Sequence, residues 1–234
     1  MNIEPNLNVN TNRALRTEKS ERRPFPPLHA IVDVDVAARA GWAPLDLAQA
    51  YLDGGARLLQ IRAKQLASGP FLDLCDGFVR SAAPYTAAVI VNDRADLAAM
   101  AQAAGVHVGQ DDLAPAEARH LVGPDRIVGF STHTIPQIEA AILEPISYLA
   151  VGPIFGTTTK ETGYSAVGLD LVTMAARLAG PIPVVAIGGI TIDTAESVLQ
   201  AGAASVAVIG DLLAQGNPQG RVAAYLQRLG QHRV

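Results

Sequence analysis

The stretch from Val184 to Val208, VVAIGGITIDTAESVLQAGAASVAV, decides the fold. It opens with Val184–Ile187, four apolar residues without alternation, as expected of a strand covered on both faces. Helical spacing follows over Asp193–Gln200, and Ala201-Gly202-Ala203 ends it, because glycine enters the left-handed conformation of a helix stop without steric cost. A second apolar run, Ser205–Val208, closes the unit. Strand, helix and strand in this order define a parallel pair joined by a right-handed crossover.

The same unit recurs along the chain. Strand-like runs lie at Leu28–Val32, Arg57–Ile61, Ala88–Val91, Gly105–Val108, Ile127–Phe130 and Tyr148–Val151, which with the two above makes eight. Helical patterns separate them at Leu45–Leu52, Phe71–Val79, Asp93–Ala103, Pro136–Ile142 and Leu169–Leu178, and Arg221–Leu229 follows the last strand. A further helix is expected to begin near Pro115. Eight such units predict a (β/α)₈ TIM barrel, a closed sheet of eight parallel strands, and 234 residues suit a fold that needs about 250. The alternative, an open doubly wound sheet, calls for a glycine-rich fingerprint after the first strand, and none is found there. Glycines ahead of strands, as in Gly54-Gly55-Ala56 and Ala104-Gly105, mark the stability face, so chemistry is expected on the loops at the opposite, carboxyl ends.

Composition narrows the class. Hydrophobic residues make up 49% and charged residues 17%, which supports a substantial core. A net charge of −4 leaves no electrostatic footprint for nucleic acid. The single Cys75 excludes an intramolecular disulfide framework and reads as a core residue of a reducing compartment. No apolar run approaches the roughly 18 residues that span a bilayer. A soluble, cytoplasmic protein without nucleic-acid or membrane partners is expected, with self-association left open. Residues 1–27 differ from the rest: they carry five asparagines, mixed charges and Pro24, Pro26 and Pro27. Arg13, Arg16, Arg22 and Arg23 raise the question of a transit peptide, which Glu4, Glu18 and Glu21 oppose. The division expected is a flexible tail over 1–27 and one catalytic barrel over 28–234.

Candidate chemistry gathers where the strands end. In Gln60-Ile61-Arg62-Ala63-Lys64, strand alternation puts Gln60, Arg62 and Lys64 on one face if the strand persists that far. Cations inside a barrel need an anion, either a carboxylate from a neighbouring strand or a bound diphosphate, for which an Arg fork with a Lys point charge is a usual pair. Asn92-Asp93 follows the third run and Asp111-Asp112 the fourth. Each reads alone as a helix cap, yet neighbouring strands lie about 4.8 Å apart, so Asp93 and Asp112 project over one rim as hard oxygen donors suited to Mg²⁺. Ser131-Thr132-His133 after the fifth run is a cap or a phosphate donor. The segment Gly152–Lys160, with Thr157, Thr158, Thr159 and Lys160, is a donor-rich loop or a surface lid. Gly188-Gly189 and Ile209-Gly210 end the last two strands, where barrels commonly bind phosphate through backbone N–H groups. Two anion sites on one rim suit one diphosphate, activated as a leaving group, and one monophosphate.

These motifs together resemble the thiamine phosphate synthase (thiamine-phosphate pyrophosphorylase) family across nearly all of the chain after Leu28. The resemblance rests on Gln60–Lys64, Val91–Asp93, Gly105–Asp112, Ser131–His133, Gly152–Phe155 through Lys160, and Ile187–Ile190. It implies a transferase of thiamine biosynthesis that moves an aminopyrimidine-methyl group from its diphosphate to the nitrogen of hydroxyethylthiazole phosphate, releasing pyrophosphate by a dissociative path. It further implies that Gln60, Arg62, Lys64, Asn92, Ser131 and Lys160 hold the pyrimidine diphosphate. Lys64, Ser131 and Lys160 would serve catalysis, and Asp93 and Asp112 would bind Mg²⁺. Thr157, Thr159, Gly189, Ile209 and Gly210 would surround the thiazole phosphate. The thiazole nitrogen already carries a lone pair, so no general base is required, in keeping with a sequence that shows no nucleophile dyad. The chain departs from the family in Gly210, where serine is common, in His29, where an aromatic residue is more usual, and in its asparagine-rich tail. A thiazole tautomerase on the same barrel would not need Lys64, Asp93, Asp112 and Lys160, and a non-catalytic thiamine phosphate sensor would not need an intact metal-and-cation set. His107 and His133 are read as supporting residues rather than as an acid–base pair.

Overall fold

A computed structural model of the chain describes residues 25–156 and 165–230. The strands are β1 (Leu28–Asp33), β2 (Leu58–Arg62), β3 (Ala88–Asn92), β4 (Gly105–Val108), β5 (Ile127–Thr132), β6 (Tyr148–Val151), β7 (Val184–Ile187) and β8 (Ser205–Val208). They are hydrogen-bonded in sequence order and β8 returns to β1, so the sheet is a closed parallel barrel. The helices among the described residues are α1 (Val34–Arg39), α2 (Pro44–Asp53), α3 (Ser68–Ala82), α4 (Ala95–Met100), α5 (Pro115–Val122), α6 (Ile135–Ala141), α7 (Gly168–Ala179), α8 (Ala195–Gln200) and α9 (Pro218–Gly230). This is the (β/α)₈ barrel that the alternation of elements predicts.

Side-chain alternation divides the core in two. Outward residues such as Ala30, Val32, Leu59, Ile61, Val89 and Val91 are buried against the helices in one continuous cluster. Covering one such Leu or Ile side chain contributes about 1.5–3 kcal/mol, which is why both flanking layers are needed. Inward residues form a smaller, separate cluster of Ile31, Tyr148, Ala150, Val185 and Ala207, all from β1, β6, β7 and β8. Toward the rim the inward positions of β2–β5 are instead Gln60, Arg62, Asn92, His107 and Ser131, which face a cavity. The barrel interior therefore has an apolar half and a polar half.

Four strands run further toward the rim than the apolar runs suggest, β2 among them, which starts at Leu58 and continues through Arg62. β1 continues through Asp33, β3 through Asn92 and β5 through Thr132, so Asn92 and Ser131 sit in strands and not in the loops after them. Helix α1 has no counterpart among the expected helices. Its six residues are started by Asp33, whose Oδ1 accepts from the Val36 N–H at 3.0 Å. The helix expected from Asp93 begins at Ala95, because Asp93 takes a left-handed turn with φ of 64°. Just ahead of β1, Phe25 packs on the Tyr148 ring at 5.6 Å and the Val206 N–H donates to the Pro27 carbonyl, so these residues join the barrel.

Candidate active site

The cavity, of about 680 Å³, opens at the carboxyl ends of the strands and reaches down to His29, Ile31 and Tyr148 inside the barrel. That size and its mixed lining are typical of a small-molecule site. Of the residues singled out from the sequence, Gln60, Arg62, Lys64, Asn92, Asp93, Asp112, Ser131, Gly189, Ile209 and Gly210 all line it. Thr157, Thr159 and Lys160 lie outside the described residues.

The polar wall is built by register. Pairing of β1 with β2 sets Asp33 opposite Arg62, and the Arg62 guanidinium forms a salt bridge with the Asp33 carboxylate. Of the two expected partners for Arg62, a neighbouring carboxylate is thus already in place. Asp33 serves Arg62 through Oδ2 while it caps α1 through Oδ1. One strand on, Gln60 Nε2 donates to Asn92 Oδ1 at 2.8 Å, and both side chains are buried. This pairing leaves the Gln60 carbonyl and the Asn92 amide N–H groups for a ligand.

The rim above holds the carboxylates. The Asp93 N–H donates to the His107 carbonyl at 2.8 Å, and the left-handed turn aims the side chain at Lys64 instead of at a helix N-terminus. Asp93 Oδ2 lies 3.1 Å from Lys64 Nζ. Asp112 closes the β4 loop, its Oδ2 accepting from the Gly109 N–H at 2.8 Å. Neither carboxylate caps a helix: the caps are Arg94 for α4 and Ala114 for α5, and neither uses a side chain. Burial and the adjacent Asp112 carboxylate push the Asp93 carboxyl above the usual carboxylate range, with Lys64 opposing in part. A carboxylate whose charge is disfavoured by burial and by a like-charged neighbour favours a cation beside it.

Ser131 is not a cap either, since Thr134 fills that role for α6 by accepting from the Gln137 N–H. Ser131 Oγ sits 2.8 Å from His107 Nε2, and His107 Nδ1 sits 2.9 Å from the Tyr148 hydroxyl. The His107 and Tyr148 rings stack with centroids 5.6 Å apart and 13° between planes. Gly129 makes room for this: a Cβ there would come within 2.0 Å of the Tyr148 ring. His133 is held by the Gly152 carbonyl, bridging the β5 and β6 loops.

On the far rim, Gly188 and Gly189 adopt φ of 101° and 64°. A Cβ on Gly188 would meet Pro153 at 2.6 Å, and one on Gly189 would meet the Gly156 carbonyl at 2.5 Å. The glycines therefore answer first to the β6 loop, which is pinned by bonds from the Ile154 and Phe155 N–H groups to the Ile187 and Gly188 carbonyls. The β8 loop is fixed by Asp211. Its carboxylate accepts from Arg221 through both oxygens (3.0 and 2.9 Å), from the Tyr225 hydroxyl at 2.5 Å and from the Ile192 N–H at 3.2 Å. One side chain thus ties the β7 loop, the β8 loop and α9 together. Asp33, Tyr148 and Asp211 carry functions that no motif signals.

A closed parallel barrel with a cavity at its carboxyl rim, polar and charged on one wall and apolar on the other, defines a barrel enzyme acting on small molecules. The sequence profile described as thiamine monophosphate synthase matches residues 29–212. The chain is 45% identical over 207 residues to a thiamine-phosphate synthase of Koribacter versatilis, covering 88% of this chain and 96% of that protein. It is 40% identical over 197 residues to one from Acidothermus cellulolyticus, covering 84% and 92%. A thiamine phosphate pyrophosphorylase structure from Pyrococcus furiosus superposes with a TM-score of 0.79 at 25% identity, covering 88% of this chain and 96% of that one. The chain belongs to the thiamine monophosphate synthase family.

Proposed function

We propose that the protein makes thiamine phosphate by joining an aminopyrimidine-methyl diphosphate to hydroxyethylthiazole phosphate, with loss of pyrophosphate and with Mg²⁺ as cofactor. The observation that carries this reading is the cluster of Lys64, Asp93 and Asp112 at the polar rim, directly above the buried Gln60–Asn92 pair. Arg62 is already neutralised by Asp33, and Asp93, Asp111 and Asp112 all line the cavity around Lys64. A diphosphate would enter such a rim only with added positive charge. Paired carboxylates suit Mg²⁺, which keeps several waters and shares phosphate oxygens, whereas a cage of three or more His, Cys, Asp or Glu groups is absent among the described residues. Bound there, the ion would neutralise charge developing on the departing diphosphate.

The chain's own groups divide the remaining work. Gln60 and Asn92 hold the pyrimidine edge, while the apolar wall of Ile31, Ala150, Val185 and Ala207 faces the ring and keeps water from the developing cation. Lys64, Ser131 and Lys160 meet the leaving oxygens. Gly189, Ile209 and Gly210, with Thr157 and Thr159, position the thiazole phosphate so that the thiazole nitrogen faces the methylene carbon. The C–O bond to the diphosphate breaks with its electron pair going to oxygen, and the nitrogen lone pair then forms the C–N bond. Catalysis is alignment plus stabilisation of the leaving group.

The test is incubation of the purified protein with both phosphorylated substrates and Mg²⁺. Thiamine phosphate and pyrophosphate are expected in equal amounts, and chelation should stop both. Absence of product would overturn the reading, and turnover indifferent to chelator would overturn its metal. A tautomerase on this barrel would leave the Lys64–Asp93–Asp112 cluster without purpose.

A further inference from the structure

We propose that Tyr148 and His107 are positioning residues that fix the direction of the Ser131 hydroxyl proton, so that it is offered outward to an anion at the rim. The basis is a count of donors and acceptors along one chain of atoms. Tyr148 is buried, and its hydroxyl lies 2.9 Å from His107 Nδ1. Its proton has no other acceptor among the described residues. His29 stands edge-on to the Tyr148 ring at a centroid distance of 5.8 Å, yet both of its ring nitrogens are without a hydrogen-bond partner there. A buried phenol that withheld its proton from the one acceptor in reach would forfeit a hydrogen bond it cannot recover from solvent. The phenol therefore donates, and His107 Nδ1 accepts.

The rest follows without choice. A neutral imidazole that accepts at Nδ1 carries its proton at Nε2. That N–H lies 2.8 Å from Ser131 Oγ and donates to it. With one lone pair of Oγ so engaged, the Ser131 proton is free to turn toward the cavity, where Gly109, Gln110 and Asp112 form the neighbouring rim. Reversal of the order would make Ser131 donate inward to Nε2 and present only lone pairs to an incoming phosphate, a repulsive arrangement. Stacking of the two rings and the space left by Gly129 hold the geometry that enforces one order.

This inference rests on the reading of Ser131 as a contact to the departing diphosphate, but its closing experiment does not depend on turnover. The nitrogen shifts of a sample labelled with ¹⁵N-histidine report the tautomer of each ring. The chain has five histidines, and the signals lost in His107→Gln assign His107. The expected result is a neutral ring protonated at Nε2 in the wild type and a mixture of tautomers in Tyr148→Phe. A wild-type ring protonated at Nδ1, or at both nitrogens, at neutral pH overturns the proposal.

Kinetics supply a second readout that a packing role would not move. Loss of one oriented donor to the leaving group should lower kcat about tenfold in Tyr148→Phe, with KM for thiazole phosphate unchanged. His107→Gln retains an N–H near the Nε2 position and should stay within about threefold of wild type, whereas His107→Leu should lose about tenfold or more. Melting temperatures show that the compared variants fold. Equal rates in His107→Gln and His107→Leu would overturn the proposal. A wild type that makes no thiamine phosphate would sink the functional reading, and the nitrogen shifts would still decide the proton order.

Discussion

At the scale of single residues, Asp93 shows most clearly how position changes meaning. As sequence, Asn92-Asp93 after an apolar run is an ordinary cap as much as a metal ligand, and a left-handed φ of 64° removes the cap. Its carboxyl is strained electrically by burial and by Asp112. Asp93→Asn should therefore cut kcat by about 10²–10³, the usual cost of losing one charge-stabilising group, while melting unchanged or slightly higher. Steady-state kinetics beside thermal melts check both halves. His29 makes a different prediction. Burial, aided by His107, lowers its pKa from 6.5 to about 3. The unfolded chain then binds the extra proton between those values, so stability is fully present above pH 6.5 and is lost as pH falls toward 3. Between pH 6.5 and 4.5 that loss amounts to about 2–3 kcal/mol. His29→Phe, which fits the aromatic expectation for this position, should be more stable at pH 7 and much flatter in melting temperature down to about pH 4.5. An equal slope in both proteins would show that His29 is not the group responsible. Asp93 was legible because its partners lie in neighbouring motifs. The identity of Asp33 as the carboxylate beside Arg62 and the Tyr148–His107–Ser131 chain were not, because their members sit within separate runs that only the closed register brings together.

At the scale of elements, all eight strands were legible from apolar runs, and β4, β6, β7 and β8 end where those runs end, whereas β1, β2, β3 and β5 continue past them. Asp33, Asn92 and Thr132 are polar, so a reading by hydrophobicity stops short of them although the ladder continues. Helix α1 was hidden for a related reason. Val32–Val36 alternates apolar and acidic residues like a strand, and the six residues of the helix are too few to show a period of 3.6. The glycines after β7 were read as giving a phosphate close access to the backbone, and their immediate neighbour in the structure is the β6 loop. What holds these loops is Asp211, with its donors from Arg221, Tyr225 and Ile192. Asp211→Ala leaves Arg221 half-buried and unpaired, which should cost about 2–3 kcal/mol, less than a fully buried pair would. For a chain of this length that is a fall of about 5–10 °C in melting temperature. Because Asp211 binds the β7 loop to the β8 loop, KM for thiazole phosphate should rise several-fold more than KM for the pyrimidine diphosphate. Equal changes in the two KM values would argue that the clamp does not shape the thiazole side.

At the scale of the molecule, the barrel's interior offers the asymmetry that the proposed function needs to handle two phosphates differently on one rim. The strands β2–β5 contribute polar residues toward the rim, whereas β6–β8 and Ile31 of β1 contribute the apolar inward cluster, so charge is concentrated over one half of the opening. A diphosphate over the polar half is offered Lys64 and the paired carboxylates, a setting that depends on an added cation. A phosphate over the other half is offered the backbone of the β7 and β8 loops, which needs no metal. This division predicts distinct ligand linkage. Pyrophosphate should raise the melting temperature only with Mg²⁺, and a ligand at about a hundred times its Kd stabilises the fold by about 2.7 kcal/mol, or about 5–10 °C here. Thiazole phosphate should raise it with or without Mg²⁺. Added together, the two shifts should sum, because the ligands occupy opposite halves of the rim and compete for no group. In Asp93→Asn the first shift should vanish and the second persist. Mutual exclusion of the two ligands, or a thiazole phosphate shift that also needs Mg²⁺, would mean that the rim holds one anion site rather than two.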